Sequence, residues 1–437
     1  MKVSIISTNR EKFPQLSIPV GPACLASVLR EQGHQVELLD LCFEPKAEEA
    51  VIAHLERYDP ELVGISLRQV ENNELFSYRS YLEDAKNIVQ AVKKHSRAKI
   101  VIGGAGFTLF PEELVRYLEL PYGIAGEAER ALPLLIRYLQ GERELGSIPG
   151  ICYWEGGRVI VNPATRIRDF GGLPFPAYDL LDLKQYLAVV SALPIEGRRG
   201  CDLVCTFCPD GGDREGCRLR APKLVVDEMR FMVKRHDIRR FFFLDGVFNF
   251  PPEHALAICQ EIRERKLDIR WTADINPVAV SPELVTAMRE AGCRVITFGI
   301  DTASQKMLRS YRKGFEKEDI ARVAKLLTEA DIRFTYHVLF GGPGENMDTA
   351  RETIDFLQGV PQPVFFRTGV RIFRGTDLDR QAREEGVLQE QHDMLSPTFY
   401  LSQDLREDFT EWLDRQCEPH ENWYTITRAV RQGLVPQ

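Results

Sequence analysis

Twice along the chain, short β-branched runs alternate with longer amphipathic ones, and this restricts the fold more than any single motif does. Over residues 1 to about 140 the runs Val3–Ser7, Val36–Asp40, Leu62–Ser66, Ile100–Gly103 and Tyr122–Ala125 read as strands. Between them Val20–Gln32, Ala47–Arg57, Tyr78–His95 and Pro111–Leu118 read as helices, and Glu129–Gln140 closes the set. Continuously apolar strands separated by helices imply a parallel sheet covered on both faces. Five such units predict a flavodoxin-like, Rossmann-type doubly wound α/β domain, whose ligands lie beyond the carboxyl ends of its strands.

From about residue 190 the alternation resumes with different spacing. Leu193–Gly197, Arg240–Leu244, Arg270–Ala273, Val295–Gly299, Phe334–Leu339 and Phe365–Ile372 read as strands. Six βα units are too few to close an eight-stranded barrel, so an open partial (β/α)6 barrel is expected, with its chemistry at the carboxyl strand ends. In between, Ile151–Trp154 and Val159–Asn162 flank Glu155-Gly156-Gly157 as a hairpin. A stiff linker, Gly171-Gly172-Leu173-Pro174-Phe175-Pro176, follows. The expected boundaries are 1–147 for the first domain, 148–189 for hairpin and linker, and 190–380 for the barrel. Residues 381–437 are expected as a helical, charged C-terminal extension with Trp412, Trp423 and Tyr424.

At 437 residues there is room for two or three cores. A net charge of −8 with no basic tract argues against nucleic acid as a partner. The apolar run at Met1–Ile6 is too short for a signal peptide, and no stretch approaches the length of a membrane span. Ten cysteines are spread from 24 to 417 with only three clustered, which speaks against a disulfide framework and for a reducing, cytoplasmic setting.

Those three are Cys201, Cys205 and Cys208, in the spacing C-x3-C-x2-C on a loop after the first barrel strand. Three thiols so placed can reach one soft metal centre. The readings open to them are a zinc site with Cys217 or His236 as fourth ligand, three ordinary buried cysteines, or a four-iron cubane. A cubane held by three thiolates keeps one iron open for a reacting ligand.

With Phe207 just before the third cysteine, the motif resembles that of the radical S-adenosylmethionine (SAM) enzymes, whose open iron of a 4Fe-4S cluster chelates SAM. Further strand ends carry the resemblance in order. Phe243–Asn249 places Asp245 where that family has an acidic element near the SAM ammonium. Phe298-Gly299-Ile300-Asp301-Thr302 stands where the family commonly has Gly-Ile-Glu-Ser. Leu339–Glu345 resembles its Phe-Gly-x-Pro-Gly-Glu turn, and Arg374-Gly375-Thr376-Asp377 takes the place of a Gly-Thr-Pro motif. The resemblance implies SAM contacts from Phe207, Asp245, Asp301, Gly341 and Gly342. The structural alternatives are a strand-end cap for Asp245 and a plain turn for the two glycines.

The first domain resembles the cobalamin-binding domain that precedes many radical SAM barrels. Pro19-Val20-Gly21, Gln32-Gly33-His34, Gly64-Ile65-Ser66, Gly103-Gly104 and Gly126-Glu127 carry the likeness. It implies cobalamin contacts from Ser66, Leu67, Arg68, Gly103, Gly104, Gly126 and Glu127. The Asp-x-His-x-x-Gly motif that supplies a lower cobalt ligand in the mutases is missing, and His34, His54 and His95 read as surface or turn residues. Arg68 has no lone pair for a metal, so it would leave that lower position empty or water-bound; its alternative is an ion pair with Glu71 or Glu74. The expected function is methylation of a small-molecule biosynthetic intermediate. One alternative is radical SAM chemistry without methyl transfer: rearrangement, oxidation or aminocarboxypropyl transfer, with the cobalamin domain empty. The other is an iron–sulfur sensor without turnover. The resemblance implies a flavodoxin or ferredoxin as electron donor and no membrane partner.

Overall fold

The computed structural model describes residues 1–12, 16–190, 192–210, 216–389, 392–405 and 407–431. The chain divides into two compact units, one of 1–72, 78–190 and 393–396, the other of 73–77, 191–392 and 397–437.

In the first unit the strands are β1 (Lys2–Ser7), β2 (Gln35–Asp40), β3 (Leu62–Ser66), β4 (Lys99–Gly103), β5 (Tyr122–Ile124), β6 (Ile151–Glu155) and β7 (Arg158–Val161). They form one sheet in the order β2-β1-β3-β4-β5-β6-β7. The first five are parallel, and their 2-1-3-4-5 order is that of flavodoxin-like folds. Helices α1 (Val20–Glu31), α2 (Ala47–Tyr58), α3 (Leu82–His95), α4 (Ala105–Leu109), α5 (Pro111–Leu118) and α6 (Ala128–Leu139) connect them. The hairpin β6–β7 is part of this sheet, with Ile124 opposite Ile151 in antiparallel register.

Continuous apolar character buries β1 on both faces: Val3, Ile5 and Ile6 are enclosed. Ser4, between them, needs a partner, and His54 on α2 supplies it through Nε2 at 2.7 Å. His54 is therefore a core residue, not the surface residue expected; it lies in the buried stripe Val51, His54, Leu55, Tyr58.

At the carboxyl edge two loops lie flat on each other. The Leu67 N–H donates to the Gly103 carbonyl at 2.9 Å, and the Gly106 N–H donates to the Leu67 carbonyl at 3.0 Å. A Cβ on Gly104, whose φ is +102°, would stand 2.5 Å from the Leu67 carbonyl oxygen.

In the second unit β8 (Leu193–Ile195) leads into β9 (Arg198–Arg199) and β10 (Arg218–Leu219), an antiparallel clasp around the cysteine loop. Then come β11 (Arg240–Phe243), β12 (Arg270–Ile275), β13 (Cys293–Asp301), β14 (Arg333–Phe340) and β15 (Val364–Thr368). The ladder β16 (Val370–Arg371) with β17 (Phe399–Tyr400) precedes β18 (Trp423–Thr425). The main sheet runs β18-β15-β14-β13-β12-β11-β8 and is parallel throughout. After α7 (Leu183–Val189), which closes the first unit, its helices include α8 (Pro222–His236), α9 (Pro252–Glu264), α10 (Pro282–Glu290), α11 (Gln305–Ser310), α12 (Lys317–Glu329), α13 (Met347–Leu357) and α14 (Asp377–Glu384). The C-terminal extension holds α15 (Phe409–Cys417) and α16 (Ile426–Arg431), and it is not helical alone: β18 adds a strand beside β15. Phe243, Phe248 and Trp271 pack ring on ring in the core under β11 and β12.

Gly104→Ala should destabilise the first unit by about 1–3 kcal/mol, because it adds backbone strain and a clash with Leu67 together. Gly157→Ala, at φ +79° with nothing within 4 Å of the new methyl, should cost less. Urea unfolding of the two variants checks this, and equal losses would contradict it.

Candidate active site

The cysteine loop has little regular structure, and its shape comes from what it docks on. The Thr206 N–H donates to the Tyr311 carbonyl at 3.2 Å, and its hydroxyl donates to the Ser310 carbonyl at 3.3 Å. The Thr206 carbonyl accepts the Leu378 N–H at 2.9 Å, one of the unpaired donors in the first turn of α14. The Phe207 ring meets Tyr311 edge-on at 5.2 Å. All three motif thiols are half-buried and free. Burial pushes Cys205 and Cys208 up, Cys208 to about 11; Cys208 also feels the other two thiols, and Cys205 feels Cys201.

No three histidine, cysteine, aspartate or glutamate side chains among the described residues form a group for a single metal ion. His236 sits at the exposed C-terminal end of α8, against Phe231. That end leads into the amino end of β11, on the opposite edge of the sheet from the cysteines. Cys217 lies closer: its N–H donates to Asp202 Oδ1 at 2.7 Å, and it feels Cys201 electrostatically. A set of three soft thiols that feel one another at a parallel sheet's carboxyl edge fits a cubane with one open iron.

Asp245 follows β11 and is 2% exposed. Its Oδ1 accepts the N–H groups of Gly197 at 2.8 Å and Arg198 at 3.1 Å, so it anchors the root of the cysteine loop. A Cβ on Gly197 would stand 2.6 Å from Oδ2, so only glycine admits the carboxylate here. Oδ2 itself has no hydrogen-bond partner among the described residues. Burial raises the pKa to about 7, against the lowering effect of the two N–H donors. An orphaned buried carboxylate oxygen at a strand end fits a cationic ligand group such as the SAM ammonium.

The other expected SAM residues all have partners within the protein. Asp301 ends β13 at a bulge, with φ +59°, and its carboxylate is ion-paired with Lys313. The Gly341 N–H donates to Glu345 Oε2 at 2.6 Å, and the Gly342 N–H donates to the Tyr311 hydroxyl at 3.1 Å. A Cβ on Gly342 would meet the Tyr311 ring at 2.2 Å. In the first unit, Gly126 donates to the Thr108 hydroxyl at 2.9 Å and Glu127 accepts the Ile167 N–H at 2.7 Å. Ser66 accepts from Thr8, and Gly103 from Leu67. Arg68 is exposed and donates to Gln69 at 2.7 Å, whereas Glu74 pairs with Arg367 at 2.9 Å. The 66–69 and 103–106 loops approach backbone to backbone at the carboxyl edge, with glycines at 104 and 106 where a side chain would clash.

Three side chains not foreseen line the second sheet on the face of Asp301. Asp274 on β12 is pushed up to about 6 by burial. His337 on β14 is accessible, yet surrounding protein and Arg367 press it down to about 4. Lys313 is enclosed. Alternating exposure along β14, with Arg333, Thr335 and His337 on one face, was a signal for His337; no sequence signal marked Lys313.

Residues 195–357 match the family model of the radical SAM superfamily, and residues 6–136 match that of the B12 binding domain. The chain belongs to the radical SAM enzymes that carry a B12-binding domain ahead of the barrel. An uncharacterised methyltransferase of Pyrococcus horikoshii is 29% identical over 78% of this chain and 73% of its own length. The tryptophan 2-C-methyltransferase of Streptomyces laurentii is 24% identical over 88% of this chain and 74% of its own. Among solved structures, TsrM from Kitasatospora setae, with cobalamin and a [4Fe-4S] cluster bound, aligns with a TM-score of 0.79 and 23% identity. That alignment covers 88% of this chain and 75% of TsrM. No helix among the described residues is long and apolar enough to cross a membrane.

Cys201→Ala, Cys205→Ala and Cys208→Ala should each abolish the iron–sulfur absorbance of the reconstituted protein, and Cys217→Ala should keep it. A Cys217→Ala protein that loses its iron as completely would contradict the three-ligand set.

Proposed function

We propose that the protein methylates a small-molecule substrate, using a 4Fe-4S cluster, SAM and cobalamin. The observation that carries this reading is the B12-binding match over residues 6–136 placed directly before a radical SAM match over 195–357. Methyltransferase relatives that span both regions support it. When bound, the cluster and SAM would supply one-electron chemistry at the sulfonium, and the corrin a carrier for the methyl group.

The chain's own part is placement. Cys201, Cys205 and Cys208 would hold the cluster, leaving one iron without a protein thiolate. Asp245 would receive the SAM ammonium on Oδ2 while its Oδ1 keeps the loop root in position. Phe207, clamped by Tyr311, would close one side of that site. Asp301, Gly341 and Gly342 would act by shaping the strand ends, since their polar groups are already engaged. Ser66, Leu67, Arg68, Gly103, Gly104, Gly126 and Glu127 would form the corrin's backbone floor. No histidine lies among them. A flavodoxin- or ferredoxin-type donor in the cytoplasm is the expected electron source.

Anaerobic magnesium-protoporphyrin IX monomethyl ester cyclases, at 24% identity over 77% of this chain, favour a second reading in which the barrel oxidises rather than methylates. Mass spectrometry of SAM-derived products, with lysate metabolites as substrates, separates the two. S-adenosylhomocysteine with a substrate gaining one methyl group supports the first reading. Deoxyadenosine with no methylated product overturns it.

Asp245 gives a test that needs no substrate. Its carboxylate must be ionised to pair with an ammonium, and burial holds the proton on until about pH 7. Affinity for SAM should therefore weaken as pH falls below 7, approaching about tenfold per unit. Asp245→Asn should flatten the profile and cost about 1.5–3 kcal/mol at pH 8. Equilibrium dialysis with the cluster-loaded protein measures both, and an unchanged profile would leave Asp245 as an anchor alone.

A further inference from the structure

Lys313 is a fully enclosed cation next to the cysteine loop. It lies two residues beyond Tyr311, whose carbonyl holds Thr206, and its own N–H donates to the Leu308 carbonyl at 3.0 Å. Its side chain is 7% exposed and its ammonium is paired with Asp301, itself 19% exposed. Asp301 reaches it from a left-handed backbone conformation at a strand bulge. Such a conformation is costly for a residue with a Cβ and persists where the surroundings impose it. The carboxylate is thus aimed at the lysine, whose own segment holds the cysteine loop through Tyr311.

Thr206, which the Tyr311 carbonyl holds, directly follows Cys205, so the buried pair belongs to the segment that seats the ligand loop. Lysine is rarely buried this far, and a buried ion pair is weak evidence for stability, because desolvation cancels most of the attraction. A role in folding alone does not call for it.

We propose that Lys313, held by Asp301, is the electrostatic partner of the cluster thiolates and sets the reduction potential of the cluster. This rests on the reading of Cys201, Cys205 and Cys208 as cluster ligands. A cluster held by three thiolates becomes more negative on reduction, and net charge nearby is among the factors that fix its potential. A fixed cation in a poorly solvated position favours the reduced form. Asp301 acts through Lys313: it keeps the ammonium charged where burial alone would discharge it.

The test is a redox titration of the reconstituted protein without SAM, read by electron paramagnetic resonance of the reduced cluster. Lys313→Met should lower the ratio of reduced to oxidised cluster at a fixed potential by about tenfold, about 59 mV for a one-electron couple. Lys313→Met/Asp301→Asn leaves no unpaired buried charge and guards against misfolding of the single variant. It should shift the potential in the same direction by less. Lys313→Arg should titrate with the parent. Equal potentials in the parent and the double variant, or a higher one in the double variant, would overturn the inference while leaving the cluster ligands intact. A parent protein that binds no iron would overturn the ligand reading and this inference with it.

Discussion

One buried phenol joins the parts of the second unit that the chemistry needs together. Tyr311 donates its hydroxyl proton to the Leu339 carbonyl at 3.2 Å and accepts the Gly342 N–H at 3.1 Å. Its ring contacts Phe207, and its carbonyl holds Thr206. The cysteine loop is far in sequence from the end of β14 and the glycine turn that follows it, and each makes a direct contact with this residue. A phenol buried this completely is held neutral, its ionisation opposed by desolvation and by Glu345, so it keeps the proton it donates to Leu339.

A second anchor works from below. Asp245 takes two backbone N–H groups at the point where β8 turns into the loop. Backbone donors buried at a strand end must find acceptors, and a carboxylate meets two with one oxygen. The other oxygen has no partner among the described residues, and burial raises the pKa. The cysteine loop is therefore fixed at its root by an anion and at its crown by a tyrosine. Among the described residues, its one piece of regular structure is the short β9–β10 ladder.

The strands were legible because both faces of a parallel sheet are buried, which leaves long apolar runs in the sequence. β1, β3 and β4 appear within a residue or two of where their runs begin and end. β18 was not legible: three residues, Trp423-Tyr424-Thr425, give no periodicity, and only the exposed flank of β15 makes them a strand. His54 misled through its chemistry, since a polar ring within an apolar stripe is read as surface unless its partner Ser4 is known. Lys313 was hidden for the opposite reason. It stands in a run with Arg309 and Arg312, both of them solvated basic side chains, and its burial goes with the pair it makes to Asp301 at the end of β13.

Likeness of motif and contact with ligand come apart at the glycine turn. Gly341 and Gly342 fall where the resemblance places a bed for adenine, yet their N–H groups are taken by Glu345 and Tyr311. The space beside Gly342 is filled by the Tyr311 ring. Glycine is required at 342 because a phenyl ring lies 2.2 Å from where a methyl would be. At 341 the reason is a φ of +108° with Leu401 close by. Both reasons are internal to the fold, so the turn would serve SAM by holding the strand end rather than by binding it. Asp245 is the converse case. Its Oδ1 holds two backbone N–H groups while Oδ2 has no partner among the described residues, a pattern that Glu345 shares through its own Oε1.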